Sequence, residues 1–315
     1  MLNETDSFRP SVCLIVPTIN PMPLWRECLD ALTEQALRPD RIVMVDSSSE
    51  DGAREIAEAH GLVVDVIRRE SFNHGGTRRA AVEKFCQDMD VVVFMTQDSI
   101  VAEPDSLRKL VRPFADPGVG AVYGRQLPRS GAGPIEAHGR FFNYPAESKR
   151  KSVDEIAADG IKAAFFSNAW GAYRVSSLNA VGGIPGDAIC SEDSYVAARM
   201  LAAGYDICYA SDALAEHSHD FSFAEEFRRY FDIGVFHARE PWLQERFGDT
   251  GDEGWRFVRS EFVYLLKKAP WRIPEAGLRN LLKIMAYKLG RCHSSLPTRM
   301  VRSMSSHGAF WLQTR

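Results

Sequence analysis

The chain is predicted to be α/β, with a mostly parallel sheet flanked by helices and a helical carboxyl-terminal extension. Three observations predict this. Strand-like and helix-like segments alternate through the first hundred residues; the strand-like runs are continuously aliphatic, as in strands covered on both faces; and from residue 222 onward the pattern is mainly helical. With 315 residues, 45% hydrophobic and 25% charged, the chain suits one large domain, or one domain with a substantial appendage.

The elements follow in order. SVCLIVPT (11–18) reads as a buried strand, and LWRECLDALTEQ (24–35) as an amphipathic helix opened by Pro21 and Pro23. RIVMVDSSS (41–49) is a second strand ending in polar residues, and DGAREIAEAHG (51–61) is helical. LVVDVIRR (62–69) is a third strand and GGTRRAAVEKFCQD (75–88) a third helix. The fourth strand, VVVFM, stops abruptly at Thr96, Gln97 and Asp98. This βαβαβαβ alternation implies a parallel, doubly wound sheet. Beyond VGAVYGRQLP (119–128) the pattern loosens. FFSNAWGAYRVSSLNAVGG (165–183) mixes aromatics, small residues and turn formers, as the wall of a pocket does. SEDSYVAARMLAAGYDICYASDALAEHSHD (191–220) reads as a helix ended by Gly204, then a short strand.

Composition bounds the setting. Six cysteines, at 13, 28, 86, 190, 208 and 292, form no CxxC pair and no metal-ligand spacing, so buried reduced thiols and a cytosolic compartment are expected. The amino terminus lacks the basic-then-apolar pattern of a signal peptide. No stretch approaches the roughly 18 apolar residues needed to span a bilayer. A soluble protein, or one lying on a membrane, is therefore expected. The net charge of −4 hides an asymmetry. Residues 1–254 hold 26 Lys and Arg against 40 Asp and Glu, a net −14, whereas residues 255–304 hold 11 against 2, a net +9.

Polar residues gather where successive strands end: Pro17 and Thr18, then Asp46, Ser47 and Ser48, then Asp98. In an open α/β sheet those ends are neighbours and face the ligand crevice. Each residue is singly explicable as a cap or turn former; as a set they point to a site. A dinucleotide-binding domain is disfavoured, because PTINPMP after the first strand has no glycine for the pyrophosphate and no phosphate-binding loop is present.

Three further stretches carry chemistry. In FNHGGTRRAAVEKF (72–85), Asn73 and His74 can cap, Gly75 and Gly76 allow close approach to a ligand, and Arg78 sits early in a helix, where a cation opposes the macrodipole. An anionic ligand would explain that arginine. SEDS (191–194) opens a helix with Glu192 and Asp193, read equally as an N-cap serine with first-turn acids. HSHD places His217 and His219 on one side of an extended segment, with an acid nearby, a set that suits a divalent metal.

Together VPTIN, VDSSSEDG, FNHGGTRR, FMTQDS, FFSNAWGAYR, SEDSYVAARMLAAGY, HSHDFSFAEEFRRYFDIGVFH and the late YKLG and LP resemble family 2 glycosyltransferases of the GT-A fold. Within that family the likeness is to bacterial rhamnosyltransferases of O-antigen and related surface polysaccharides. It runs from about residue 12 to the carboxyl terminus. The resemblance implies a Rossmann-like nucleotide-binding sheet and an inverting transfer from a nucleotide sugar, dTDP-L-rhamnose, to a saccharide or lipid-linked acceptor. It implies that Pro17, Thr18 and Asp46 hold nucleobase and ribose. Ser48, Gln97 and the segment of Asn73, His74, Gly75 and Arg78 would line the nucleotide-sugar pocket. Asp98 would stand for the last acid of the DxD motif and bind Mg²⁺ or Mn²⁺; since the motif here reads Thr96-Gln97-Asp98, His219 is an extra ligand. Asp193 would be the catalytic base, supported by Glu192, and Trp170 would contact the acceptor.

The implied organisation is a catalytic domain over 1–221, its nucleotide-binding part about 11–125 and its acceptor part about 126–221, then an extension over 222–315. A hydrolase with paired carboxylates would leave the nucleotide-pocket residues without a task. A sugar-phosphate nucleotidyltransferase would need a glycine-rich basic loop after the first strand, and a non-catalytic binder would show no turnover. The basic, aromatic-rich stretch 255–304 has two readings: a helix packed on the catalytic domain, or an interfacial helix on the anionic cytoplasmic face of the inner membrane. Nucleic acid is not an expected partner.

Overall fold

The structure, a computed structural model, describes residues 8–248, 251–308 and 310–313. The aliphatic runs of the first hundred residues form β1 (Val12–Thr18), β2 (Arg41–Asp46), β3 (Val63–Val66) and β4 (Val91–Met95), joined by α1 (Leu24–Thr33), α2 (Ala53–Ala59) and α3 (His74–Phe85). The four strands lie side by side in the order β3-β2-β1-β4, all parallel, as the alternation predicts. Every residue of β1 and β4 is buried. Because side chains alternate across a strand, Cys13 and Ile15 enter the core on one face while Val12, Leu14 and Val16 enter the core on the other. Each such aliphatic side chain stabilises the fold by about 1.5–3 kcal/mol.

After β4 the sheet changes character. Next come β5 (Ile100–Val101), α4 (Ser106–Val111), β6 (Val119–Leu127), α5 (Pro134–Asn143), β7 (Lys149–Lys151), α6 (Ile156–Asp159), β8 (Trp170–Arg174), α7 (Val175–Ala180), α8 (Glu192–Ala202) and β9 (Asp206–Glu216). The sheet continues β4-β8-β6-β9-β5, with β7 paired to β9. Here β8 runs antiparallel to both β4 and β6, while β6 and β9 are parallel. Two expectations need correction. The last strand is 11 residues long, not short; the polar Ser211 and Asp212 fall in a register shift between Gly124 and Arg125 of β6 and break the apolar pattern. Trp170 is no wall of an open pocket. It is 0% exposed, its indole N–H donates to Ala213 O at 3.2 Å, and Gly124 must be glycine because a Cβ there would strike the indole. It cannot contact an acceptor from that position.

From Phe223 the chain is helical: α9 (Phe223–Arg239), α10 (Pro241–Phe247), α11 (Gly251–Lys268), α12 (Ile273–Arg291), α13 (Thr298–Met304) and α14 (Phe310–Gln313). A capping box of Ser222 and Glu225 starts α9. α9 and α12 cross where a Cβ on Gly234 would meet Tyr287 O at 2.2 Å and one on Gly290 would meet Phe231 O at 2.0 Å. Two glycines thus permit a backbone approach that no other residue allows. α11 lies against α5, with His138 Nε2 2.9 Å from Ser260 Oγ. Among the described residues all six cysteines are free, and no helix is long and apolar enough to cross a membrane.

Candidate active site

The loops that follow β1, β2 and β4 are laced into one wall. Gln97 accepts from Ile19 N–H at 2.6 Å and donates to Ile19 O at 3.1 Å. Asn20 N–H donates to Ser49 Oγ at 2.8 Å, and Glu50 N–H to Asn20 Oδ1 at 2.9 Å. Asp46 is 0% exposed; its oxygens accept from Ser49 N–H at 2.9 Å, from Thr18 Oγ at 3.4 Å and from the Ser49 hydroxyl. Pro17 and Thr18 are likewise enclosed, while Ser48 is exposed and donates to Ile67 O at 2.8 Å. Asp46 and Thr18 therefore hold the wall's shape from behind. Asn20, Ser48 and Ser191 have φ of 42°, 59° and 58°, the non-glycine residues in the left-handed region among those described. Each such conformation costs roughly 1–3 kcal/mol and persists where surrounding structure enforces it. Two of the three stand in these loops, and the third precedes Glu192.

Asp98 caps no helix, since the chain after it enters β5. Register decides what it meets. β5 pairs with β9 so that Ile100 faces Glu216, which brings Asp98, just before one strand, beside His217, just after the other. His217 Nε2 lies 3.3 Å and His219 Nδ1 3.4 Å from the same Asp98 Oδ2. Donor atoms of the three side chains all lie within 4.8 Å of one another. The HxH spacing offers both histidines as a metal set, while the resemblance implies only His219 as a ligand.

A residue that sequence reasoning missed sets the state of that histidine. Arg140 donates to Gln126 Oε1 at 2.6 Å, and Gln126 Nε2 donates to Ser167 Oγ at 2.9 Å, so the amide oxygen points at His217 Nδ1, 2.8 Å away. Nδ1 then carries the proton, and Nε2 presents a lone pair toward Asp98. Nε2 is buried with no hydrogen-bond partner. Burial keeps both imidazoles neutral, His219 pushed down to about 3. Burial would raise Asp98, but its neighbours His217, His219 and Thr96 hold it well below the usual carboxylate range. One ionised carboxylate and two neutral imidazoles, with a lone pair lacking a donor, fit a divalent cation.

A second cluster forms where α3 meets α8. Glu192, 6% exposed, pairs with Arg78, 4% exposed, at 3.1 Å, and accepts from Asn168 Nδ2 at 3.3 Å. The misplaced arginine of α3 is thus answered by Glu192 of this chain rather than by an anionic ligand. Gly75 is corrected in the same way: a Cβ would lie 1.9 Å from Pro185 O, so its close approach is to the chain's own backbone. Asn73 caps α3, accepting from Gly76 N–H at 2.7 Å, and clamps Gly186 O at 2.6 Å. The His74 ring packs edge-on against Phe72 and against His307 of the carboxyl-terminal segment. Ser191 occupies the N-cap position of α8 without making a cap bond, so the ordinary capping account of SEDS fails.

Asp193 is left poised. Its oxygens accept from Asn168 N–H at 3.1 Å and Ser194 N–H at 2.7 Å. Burial and the adjacent Glu192 charge outweigh those bonds and raise its carboxyl to about 6. Three arginines complete the surroundings, none foreseen. Arg129 holds Asp98 O, Arg140 holds Gln126, and the exposed Arg229 is close enough for its charge to lower His74, His219 and His307. They lie on a loop, on α5 and on α9, far apart in the chain, and no motif marked them.

The arrangement offers a candidate divalent-cation cluster where β5 begins and β9 ends, and a raised carboxylate in the first turn of α8. Comparison with known proteins gives the family. The sequence profile described as Glycosyl transferase family 2 matches residues 13–182. The chain is 44% identical over 301 residues to the O-antigen chain rhamnosyltransferase RfbN of Salmonella typhimurium, covering 95% of this chain and 96% of that one. It is 45% identical over 303 residues to the O-antigen chain rhamnosyltransferase WbaN of Salmonella anatum, covering 96% of each. Among solved structures, the fold matches the mannosyltransferase PcManGT of Pyrobaculum calidifontis, in complex with GDP-Man and Mn²⁺ (TM-score 0.56, 24% identity, 97% of this chain and 86% of that). It also matches residues 1–349 of S. aureus TarS in complex with UDP-GlcNAc (TM-score 0.54, 16% identity, 94% and 84%). By profile, near-full-length identity and GT-A architecture, this chain belongs to glycosyl transferase family 2 and is a glycosyltransferase.

Proposed function

We propose that the chain is an inverting, divalent-metal-dependent rhamnosyltransferase. It moves L-rhamnose from dTDP-rhamnose to a saccharide or lipid-linked saccharide during assembly of a bacterial surface polysaccharide, on the cytoplasmic side of the membrane. Near-full-length identity to two O-antigen chain rhamnosyltransferases carries the choice of sugar. Residues 1–221 form the catalytic unit in this reading, and 222–315 the extension.

The acceptor hydroxyl gives its proton to Asp193, whose raised carboxyl is matched to that task near neutral pH. The hydroxyl oxygen bonds to the anomeric carbon as the bond to the diphosphate breaks on the opposite face, which inverts the configuration. Glu192, ionised against Arg78, keeps Asp193 basic, and the Asn168 and Ser194 amides aim it. Asp98, His217 and His219 hold Mg²⁺ or Mn²⁺, which when bound neutralises charge on the departing diphosphate. Arg129 and Arg229 add positive charge on that side. Gln97 and Ser48 present the nucleoside wall that Pro17, Thr18 and Asp46 support from within, and Asn73 and His74 close its far side.

The test is thermal stabilisation by nucleotides and nucleotide sugars with and without Mn²⁺, followed by NMR of the product's anomeric configuration. A shift with dTDP-rhamnose that grows with Mn²⁺, and an inverted product, are expected. A shift confined to UDP or GDP sugars would overturn the sugar while keeping the reaction class.

A further inference from the structure

The helices α11 and α12 carry apolar side chains on both their inner and outer faces. Inward, Leu265 is fully buried and Phe257 and Tyr264 pack on His138 of α5, beside small and polar residues. Ala276, Ala286 and Gly290 are buried on α12, and Glu261 of α11, 1% exposed, accepts from Asn280. Arg279 and Lys283 are spent on Glu226 of α9. Many large apolar side chains also face out. On α11, Trp255, Phe262 and Leu266 follow helical spacing and Val263 adjoins them; Trp255 is 75% exposed. On α12, Leu278, Leu281 and Met285 form the matching stripe beside Ile284, each about half exposed. Trp271, 74% exposed, stands at the turn between the helices. A helix pair facing water would carry polar side chains on that outer face.

Charge identifies what covers this face. Arg259, Lys267, Lys268 and Lys288 are exposed around it. The two acids between residues 255 and 291 are not available to oppose them: Glu261 is buried, and Glu275 is bonded to Arg272 and Arg279. Two copies of such a face would set like charges against each other. Apolar side chains with tryptophans, ringed by uncompensated cations, match an anionic lipid interface instead. We propose that the α11–α12 hairpin seats this protein on an anionic bilayer surface, with Trp255 and Trp271 inserted at headgroup depth. The hairpin is tied to the cation cluster, since Arg279 donates to Phe221 O at 2.9 Å, two residues after His219, and Glu136 of α5 holds His219 N–H. Seating it therefore anchors the cation-cluster segment to the lipid surface, where, on the reading proposed above, a lipid-linked acceptor is presented.

The test is co-sedimentation of the full chain with vesicles of phosphatidylglycerol and phosphatidylcholine, against phosphatidylcholine alone, with sedimentation velocity on the free protein. At least ten-fold stronger partition to the anionic vesicles is expected, falling as salt rises. The pair Trp255→Ala with Trp271→Ala, and separately Lys267→Glu with Lys268→Glu, should each lose that partition with melting temperature and Mn²⁺-linked donor stabilisation unchanged. Equal or absent binding to both vesicle types overturns the proposal. So does a stable dimer that either variant pair dissociates, which would assign the face to a second copy. Failure here leaves the donor and metal assays untouched, so the two readings fall separately.

Discussion

Asp98 and Asp193 carry the same side chain in two clusters of the candidate site, and their surroundings drive them in opposite directions. Asp98 faces two imidazoles and stays well below the usual carboxylate range; Asp193 is half-buried beside the ionised Glu192 and rises to about 6. The contrast separates two tasks by environment alone: a permanently charged oxygen for a cation, and a carboxylate that exchanges a proton near neutrality. Sequence position could not separate them, because each is simply an acid where an element begins or ends.

The largest effect expected from breaking the contrast is at the base. Asp193→Asn should lower kcat by roughly 10²–10⁴-fold while donor-induced stabilisation persists. Turnover close to the parent's would remove Asp193 from the chemistry. Asp98→Asn should instead abolish the Mn²⁺-dependent part of the donor-induced melting shift, measured in parallel; a shift that survives would place the cation elsewhere. Next is Gln126→Leu, which frees the His217 tautomer without touching a ligand. It should weaken Mn²⁺ binding roughly 10–100-fold by calorimetry, and an unchanged affinity would mean the amide orients nothing.

The pH dependence sharpens the same comparison. Only ionised Asp193 accepts a proton, so kcat/KM should fall below pH about 6. The stability sign is opposite. With its folded pKa raised from 3.8 to about 6, the carboxyl holds more protons folded than unfolded, so stability declines as pH rises through that window. Asp193→Asn should accordingly melt higher than the parent at pH 8, and a lower melting temperature would contradict the burial account. The smallest catalytic effect belongs to Gly234→Ala, remote from both acids. Overpacking against Tyr287 O should cost about 1–3 kcal/mol in denaturant unfolding, with Mn²⁺ affinity unchanged.

The parallel half of the sheet was legible because β1, β4 and most of β2 are buried on both faces and need no partner pattern to announce themselves, while the exposed edge strand β3 followed from the alternation. The antiparallel β8 was not, since WGAYR has the small and aromatic residues of a pocket wall and becomes a central strand only when β4 and β6 enclose it. In the crevice, the acids and HxH could be named from spacing. Arg78 and Gly75 could not be placed, because their partners, Glu192 and Pro185, lie more than a hundred residues away.

By itself, then, the sequence determined the strand–helix alternation, the residues at the strand ends, and the basic, aromatic character of the carboxyl-terminal third. These are local: periodicity, composition and nearest-neighbour chemistry decide them. Tertiary structure alone decided which nitrogen of His217 is bare, whether Trp170 is wall or core, which charge Arg78 answers, and that α11 and α12 leave large apolar side chains on their outer faces. Each depends on a contact between distant segments, and only the packed sheet and the glycine crossing of α9 with α12 bring those segments together.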